Sequence, residues 1–133
     1  MKILIVDDHD IVRERLKEIL LDVSDNIVSA KLIYGKDVLK EVIKNNYDLV
    51  ILDIATADGR GLNILKEIKN RRPELPVLVL GMYPEEQYAY WLIKAGASGY
   101  LAKEKVPEEL MKAIQEISRG RKYVSPAISG KLP

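Results

Sequence analysis

The feature that most constrains this chain is an alternation. Short runs rich in β-formers recur at residues 3–6, 27–33, 49–52, 77–80 and around 99–102, and helical spacing follows each of them. The first intervening stretch sets Ile11, Val12, Leu16, Ile19 and Leu20 on one face, and the second Val38, Leu39, Val42 and Ile43. The third offers Leu62, Leu65 and Ile68, the fourth Tyr88, Trp91, Leu92 and Ala95, the fifth Leu110, Met111, Ile114 and Ile117. Strand and helix alternating in this way predict right-handed crossovers, hence a parallel sheet with helices on both faces. The runs ILIV, LVIL and VLVL are apolar on both sides, as buried parallel strands require, whereas IVSAKLI carries Ser29 and Lys31 and is the expected edge strand. Pro84 and Pro107 suit the first turns of helices, and Gly35 and Gly61 mark helix entries.

Composition narrows the functional classes. A length of 133 residues fits one domain with a sizeable core. The absence of cysteine removes disulfides, thiolate metal sites and cysteine nucleophiles, and is consistent with a reducing cytoplasm. Twenty-one Lys and Arg against 20 Asp and Glu give almost no net charge, so the chain as a whole is not a nucleic-acid glove. No apolar run approaches the ~20 residues of a membrane helix and the start is not that of an export signal, so a soluble, unexported, cytoplasmic protein is expected. The tail from residue 123 to 133, with its Ser, Pro and Gly, reads as the start of an interdomain connection after a domain of residues 1–122.

In a doubly wound sheet, ligands sit beyond the carboxyl ends of the strands. Those ends carry Asp7 and Asp8, Asp53, Gly81 and Lys103. Three converging carboxylates repel one another unless a cation shares the site, and hard oxygen ligands suit magnesium. A magnesium ion, a lone lysine and a remaining carboxylate form a set suited to a phosphoryl group.

With these residues in place, the chain resembles the receiver domain of two-component response regulators. The stretches VDDHDIVR, LVILDI, GRGL, AGASGYLAKE and PEEL stand in the order and spacing of that family. The resemblance implies a flavodoxin-like fold of five parallel strands in the order 2-1-3-4-5. It also implies that Asp53 accepts a phosphoryl group from a sensor histidine kinase, and that Asp8, Asp53 and the main-chain carbonyl of Ala55 ligate magnesium. Asp7 would act through a water, Lys103 would pair with phosphoryl oxygens, and Tyr100 would be the aromatic that changes rotamer on activation. The opening DDH, the AGASGYL segment and the tail GRKYVSPAI resemble the subfamily whose second, DNA-binding domain is a LuxR-type helix-turn-helix, so contact with DNA is expected only through a domain beyond this chain. Homodimers are expected through helices one and five or through helix four with its neighbours, and no membrane partner is implied.

The sequence also departs from that family. Gly81 stands where a Ser or Thr hydroxyl is usual, and Thr56 and Ala57 stand where Met and Pro are usual. Metal binding and phosphoryl transfer are expected to persist while coupling to Tyr100 weakens, unless the Met82 amide or a water replaces the hydroxyl. A rival reading, a small magnesium-dependent phosphohydrolase, wants a second Asp where Ala55 stands. A docking module without chemistry would not need Asp7, Asp8, Asp53 and Lys103. His9, the single histidine, reads as a cap or surface contact. Trp91 and Tyr88 read as core or helix surface, Arg71 and Arg72 as a helix end favouring its dipole, and ADGRG as a turn.

Overall fold

The computed structural model describes residues 1–7, 9–21, 26–30, 35–55, 61–82 and 85–124, with backbone alone for 26–30, 35–36 and 85–88. Its elements are β1 (Lys2–Val6), α1 (Asp10–Leu20), β2 (Asn26–Ala30), α2 (Gly35–Lys44), β3 (Leu49–Asp53) and α3 (Gly61–Arg71). They continue with β4 (Val77–Gly81), α4 (Glu85–Lys94), β5 (Gly99–Ala102), a short 3₁₀ turn (Lys103–Lys105) and α5 (Val106–Ser118). Gly35 and Gly61 open helices as expected, and Pro107 stands in the first turn of α5, where its missing N–H costs nothing. Pro84 lies outside the described residues, as do positions 31–33 of the second expected strand.

All pairings are parallel and the order is β2-β1-β3-β4-β5, which puts β2 on an edge. The central strands β3 and β4 are buried at every position, because helices cover both sides of a sheet made by crossovers. Alternate residues divide between two cores. Leu4, Val6, Val50, Leu52, Val77 and Val79 face α2, α3 and α4 through Val38, Val42, Ile64, Leu65, Ile68 and Leu92. Ile3, Ile5, Ile51, Leu78, Leu80 and Leu101 face α1 and α5 through Leu16, Leu20, Leu110, Ile114 and Ile117. A one-residue slip of any strand would exchange the two sets, so burial on both faces holds the register.

Helical periodicity misplaced some residues. Ile11, in the first turn of α1, is 80% exposed. Ile43 is also exposed, whereas Trp91, read as core or helix surface, lies on the surface of α4, edge-on against Tyr90. The side chain of Tyr88 is outside the described residues.

The packed chain continues past α5 to Tyr123. Its amide donates to the Ser98 carbonyl at 2.9 Å, and its carbonyl accepts from the Tyr100 amide at 3.1 Å. Its buried ring sends the hydroxyl to Glu109 Oε1 at 2.5 Å. Gly99 is required at this crossing, since a β-carbon there would come within 2.7 Å of the Tyr123 carbonyl oxygen. Among the described residues no helix is long and apolar enough to cross a membrane.

Candidate phosphoryl-acceptor site

The carboxyl rim gathers residues from β1, β3 and the turn after β5. Asp53 ends β3 and is 2% exposed. Its Oδ2 accepts from Lys103 Nζ at 2.9 Å, and its Oδ1 accepts from the backbone N–H of Ala55 at 3.1 Å. Both oxygens therefore already meet donors, and the ammonium reaches Oδ2 from the residue directly after β5.

Asp7, directly after β1, is 1% exposed. Its Oδ1 accepts from the His9 amide at 2.8 Å and lies 3.2 Å from His9 Nδ1. Its Oδ2 is buried and has no hydrogen-bond partner among the described residues. Burial pushes the Asp7 carboxyl above its ordinary range, and the neighbouring Asp53 charge adds to this, while the His9 amide and ring and the Lys103 ammonium act in the opposite direction. A buried carboxylate oxygen with no donor costs free energy unless a cation meets it.

His9 stands exposed at the N-cap of α1, in keeping with its reading as a cap or surface contact, though its side chain makes no cap hydrogen bond. Two features of the rim escaped sequence reasoning. The His9 ring reaches Asp7, and ligand atoms of Asp7, His9 and Asp53 lie within 4.8 Å of one another. Arg13 sends Nη1 to the Asp7 carbonyl at 2.7 Å and Nη2 to Asp10, bracing the end of β1 against the first turn of α1. Their signal was position alone: both follow Asp7 within VDDHDIVR, on the turn and helix that the strand feeds.

The donor set fits a hard divalent cation. Asp7 and Asp53 offer carboxylate oxygens, one of them unpartnered and buried, and oxygen donors of that kind suit magnesium. Asp8 lies outside the described residues, and so do Thr56 and Ala57 and the turn at 58–60. Ala55 is described and exposed, with its amide on Asp53. Gly81 ends β4 at the same rim, and Tyr100 is wholly buried beside it.

The chain is 32% identical over 132 residues to the response regulator GacA of Pseudomonas aeruginosa, covering 99% of this chain and 62% of that protein. It is 33% identical over 132 residues to the transcriptional regulatory protein DegU of Brevibacillus brevis, covering 99% of this chain and 56% of that one. It thus spans about three-fifths of the length of such relatives. Among solved structures, it superposes on a LuxR-family two-component response regulator from Aurantimonas sp. SI85-9A1 with a TM-score of 0.86 and 28% identity, covering 98% of this chain and 94% of the other. The non-phosphorylated receiver domain of the stress response regulator RcsB from Escherichia coli gives 0.83 and 25%, covering 94% and 98%. The response regulator receiver domain model matches residues 3–115, so the paired Asp53 and Lys103 and the buried Asp7 stand inside a chain that belongs to the receiver-domain family of two-component response regulators.

Proposed function

We propose that this domain is a phosphorylation-driven switch whose acceptor is Asp53, loaded from the phosphohistidine of a sensor kinase. The observation that carries this reading is the buried Asp53 carboxylate held by Lys103 at 2.9 Å beside a second buried carboxylate with an unpartnered oxygen. In the transfer, a carboxylate oxygen of Asp53 attacks phosphorus and forms the new P–O bond. The P–N bond breaks, and its electron pair returns to the donor imidazole, which takes a proton from solvent. Lys103 stays charged and turns from the carboxylate to the phosphoryl oxygens, so that charge is met by a preorganised donor. The amide of Ala55 keeps the other carboxylate oxygen in place. Arg13 and His9 fix the end of β1 and with it Asp7.

Asp7 and Asp53, with Asp8 and the Ala55 carbonyl as the family resemblance implies, would hold magnesium, which when bound neutralises phosphoryl oxygens. The chain is itself the product of the reaction, modified on Asp53, and turns over no separate substrate. By its relatives, the output is control of transcription through a DNA-binding domain beyond these residues.

The test is acetyl phosphate with magnesium, followed by intact-mass measurement. Wild type is expected to gain one phosphoryl group and Asp53→Asn none; the same adduct on Asp53→Asn removes the assignment.

A further inference from the structure

Gly61 opens α3 and is buried. A β-carbon built there would collide with the Ile54 carbonyl oxygen and lie 2.7 Å from both the carbonyl carbon and the Cα of Ile54. Backbone therefore passes directly against backbone, at the residue that follows Asp53. The glycine answers to this approach and not to its own dihedral angles, since the glycines with a positive φ among the described residues are Gly96 and Gly120. Both sides of the contact are held. Ile64, Leu65 and Ile68 bury α3 in the core against which Ile54 also packs, and the Ile54 amide donates to the Leu80 carbonyl at 2.9 Å.

The contact bears on a single peptide group. The Ile54 carbonyl and the Ala55 N–H belong to one planar unit. Its oxygen lies against Gly61, while its N–H donates to Asp53 Oδ1 at 3.1 Å. A planar unit turns as a whole, so a methyl group that pushes the oxygen aside swings the N–H off the carboxylate. Lys103 holds Oδ2, and the carboxylate would be left to pivot on that contact. We infer that Gly61 is a positioning residue of the acceptor site: its bare Cα lets the peptide between Ile54 and Ala55 lie in the orientation that aims the Asp53 carboxylate. This rests on the reading of Asp53 as acceptor. Aim matters to a nucleophile, because a misplacement of about 1 Å can cost about a hundredfold in rate.

Amide NMR of the metal-free protein, with calorimetric titration of beryllofluoride and magnesium as a stand-in for the phosphoryl group, tests this on Gly61→Ala against a matched control, Gly96→Ala. Gly96 has a φ of 110° and its β-carbon would meet the Lys69 side chain at 3.0 Å, so alanine strains the chain there too, but ahead of β5, at the opposite end of the sheet from Asp53. In wild type the Ala55 amide proton is expected downfield, where a bond to a carboxylate puts it, and Asp53→Ala is expected to move it upfield. Gly61→Ala is expected to move it upfield likewise, with the amides of Leu65 and Ile68 in place, and to weaken beryllofluoride binding about tenfold to a hundredfold. Gly96→Ala is expected to lose stability and keep both the Ala55 resonance and the affinity. Gly61→Ala that retains either the wild-type resonance or the wild-type affinity overturns the proposal, as does an equal loss in Gly96→Ala. So, with no change at position 61, does a wild-type Ala55 amide that Asp53→Ala leaves unmoved. Wild type that shows the Ala55 bond and yet binds no beryllofluoride overturns the acceptor reading instead, so the two failures are distinguishable.

Discussion

At the amino-terminal end of the sheet, polar groups close upon one another. The Lys2 amide donates to Asp48 Oδ2 at 2.6 Å, the Tyr47 hydroxyl to Glu41 Oε1 at 2.7 Å, and Arg72 Nη2 to the Ile43 carbonyl at 3.0 Å. Lys69 Nζ serves two carbonyls after α3, Pro73 and Leu75, each at 2.8 Å. At the carboxyl end, two buried carboxylates share one neighbourhood, a single lysine neutralises one of them, and Asp7 Oδ2 has no donor among the described residues. Both ends tie loops to strands, yet only the second stores a charge imbalance. The contrast separates polar groups arranged to hold the fold from polar groups arranged to receive something.

Breaking the acceptor pair gives the largest expected effect. Lys103→Met removes the cation from buried Asp53 and leaves two carboxylates facing each other; Lys103 is 23% exposed, so solvent replaces little of it. Losing one partner of such a pair costs about 3 kcal/mol in metal-free conditions. Magnesium is expected to stabilise Lys103→Met more than wild type in urea unfolding, because only the variant lacks the ammonium. Equal magnesium effects on both proteins would mean that the ion does not share the charge of this site.

Asp7→Asn changes the other half of the imbalance. Removing a buried charge with an unpartnered oxygen is expected to raise metal-free stability by about 1–3 kcal/mol and to weaken magnesium binding. Acidity supplies a second reading of the same residue. The folded-state pKa of Asp7 is raised above its ordinary 3.8, chiefly by burial, so the folded state keeps a proton that the unfolded chain has released. Its contribution to stability is full below the unfolded value and is lost as pH rises through the folded one. Metal-free wild type is therefore expected to lose stability from this group as pH climbs out of the acid range, and Asp7→Asn to show a flatter profile. A wild-type curve no steeper than that of the variant would contradict the raised value.

How much of this could be read from the chain follows from what a one-dimensional pattern holds. ILIV, LVIL and VLVL gave the buried strands because parallel strands sandwiched by helices need apolar residues on both faces, and the polar interruptions at Ser29 and Lys31 singled out the edge strand. Asp7, Asp53 and Lys103 were legible because strand ends of a doubly wound sheet share a rim, and Asp53 and Lys103 do meet. Ile11 was misplaced because spacing tells which face of a helix is apolar but not which positions of that face the fold covers. The relation of Gly81 to Tyr100 was out of reach for a different reason. In the sequence, Gly81 is only a missing hydroxyl; that a phenol from the neighbouring strand takes its volume depends on side chains meeting across β4 and β5.

The smallest expected effect belongs to the opposite end and checks the comparison from that side. Tyr47 is 8% exposed, its hydroxyl bonds Glu41, and Lys2 Nζ stands 4.9 Å from its ring centre. Burial, with Glu41 as acceptor, holds this phenol in its protonated form far above the usual range, so it is a donor and not a titrating group near neutral pH. Tyr47→Phe keeps the ring against β3 and the lysine while leaving Glu41, which is partly exposed and also accepts from Asn45 Nδ2 at 3.2 Å, to take up water. The expected cost is about 1 kcal/mol, the net worth of one hydrogen bond. Beryllofluoride affinity should stay that of wild type, because the residue lies at the far end of the strands from Asp53 and touches nothing that the acceptor touches. Unfolding and beryllofluoride titrations on the same sample measure both quantities. A change in affinity of about tenfold or more would show that the two ends of the sheet are energetically coupled, and the separation drawn between them would have to be abandoned.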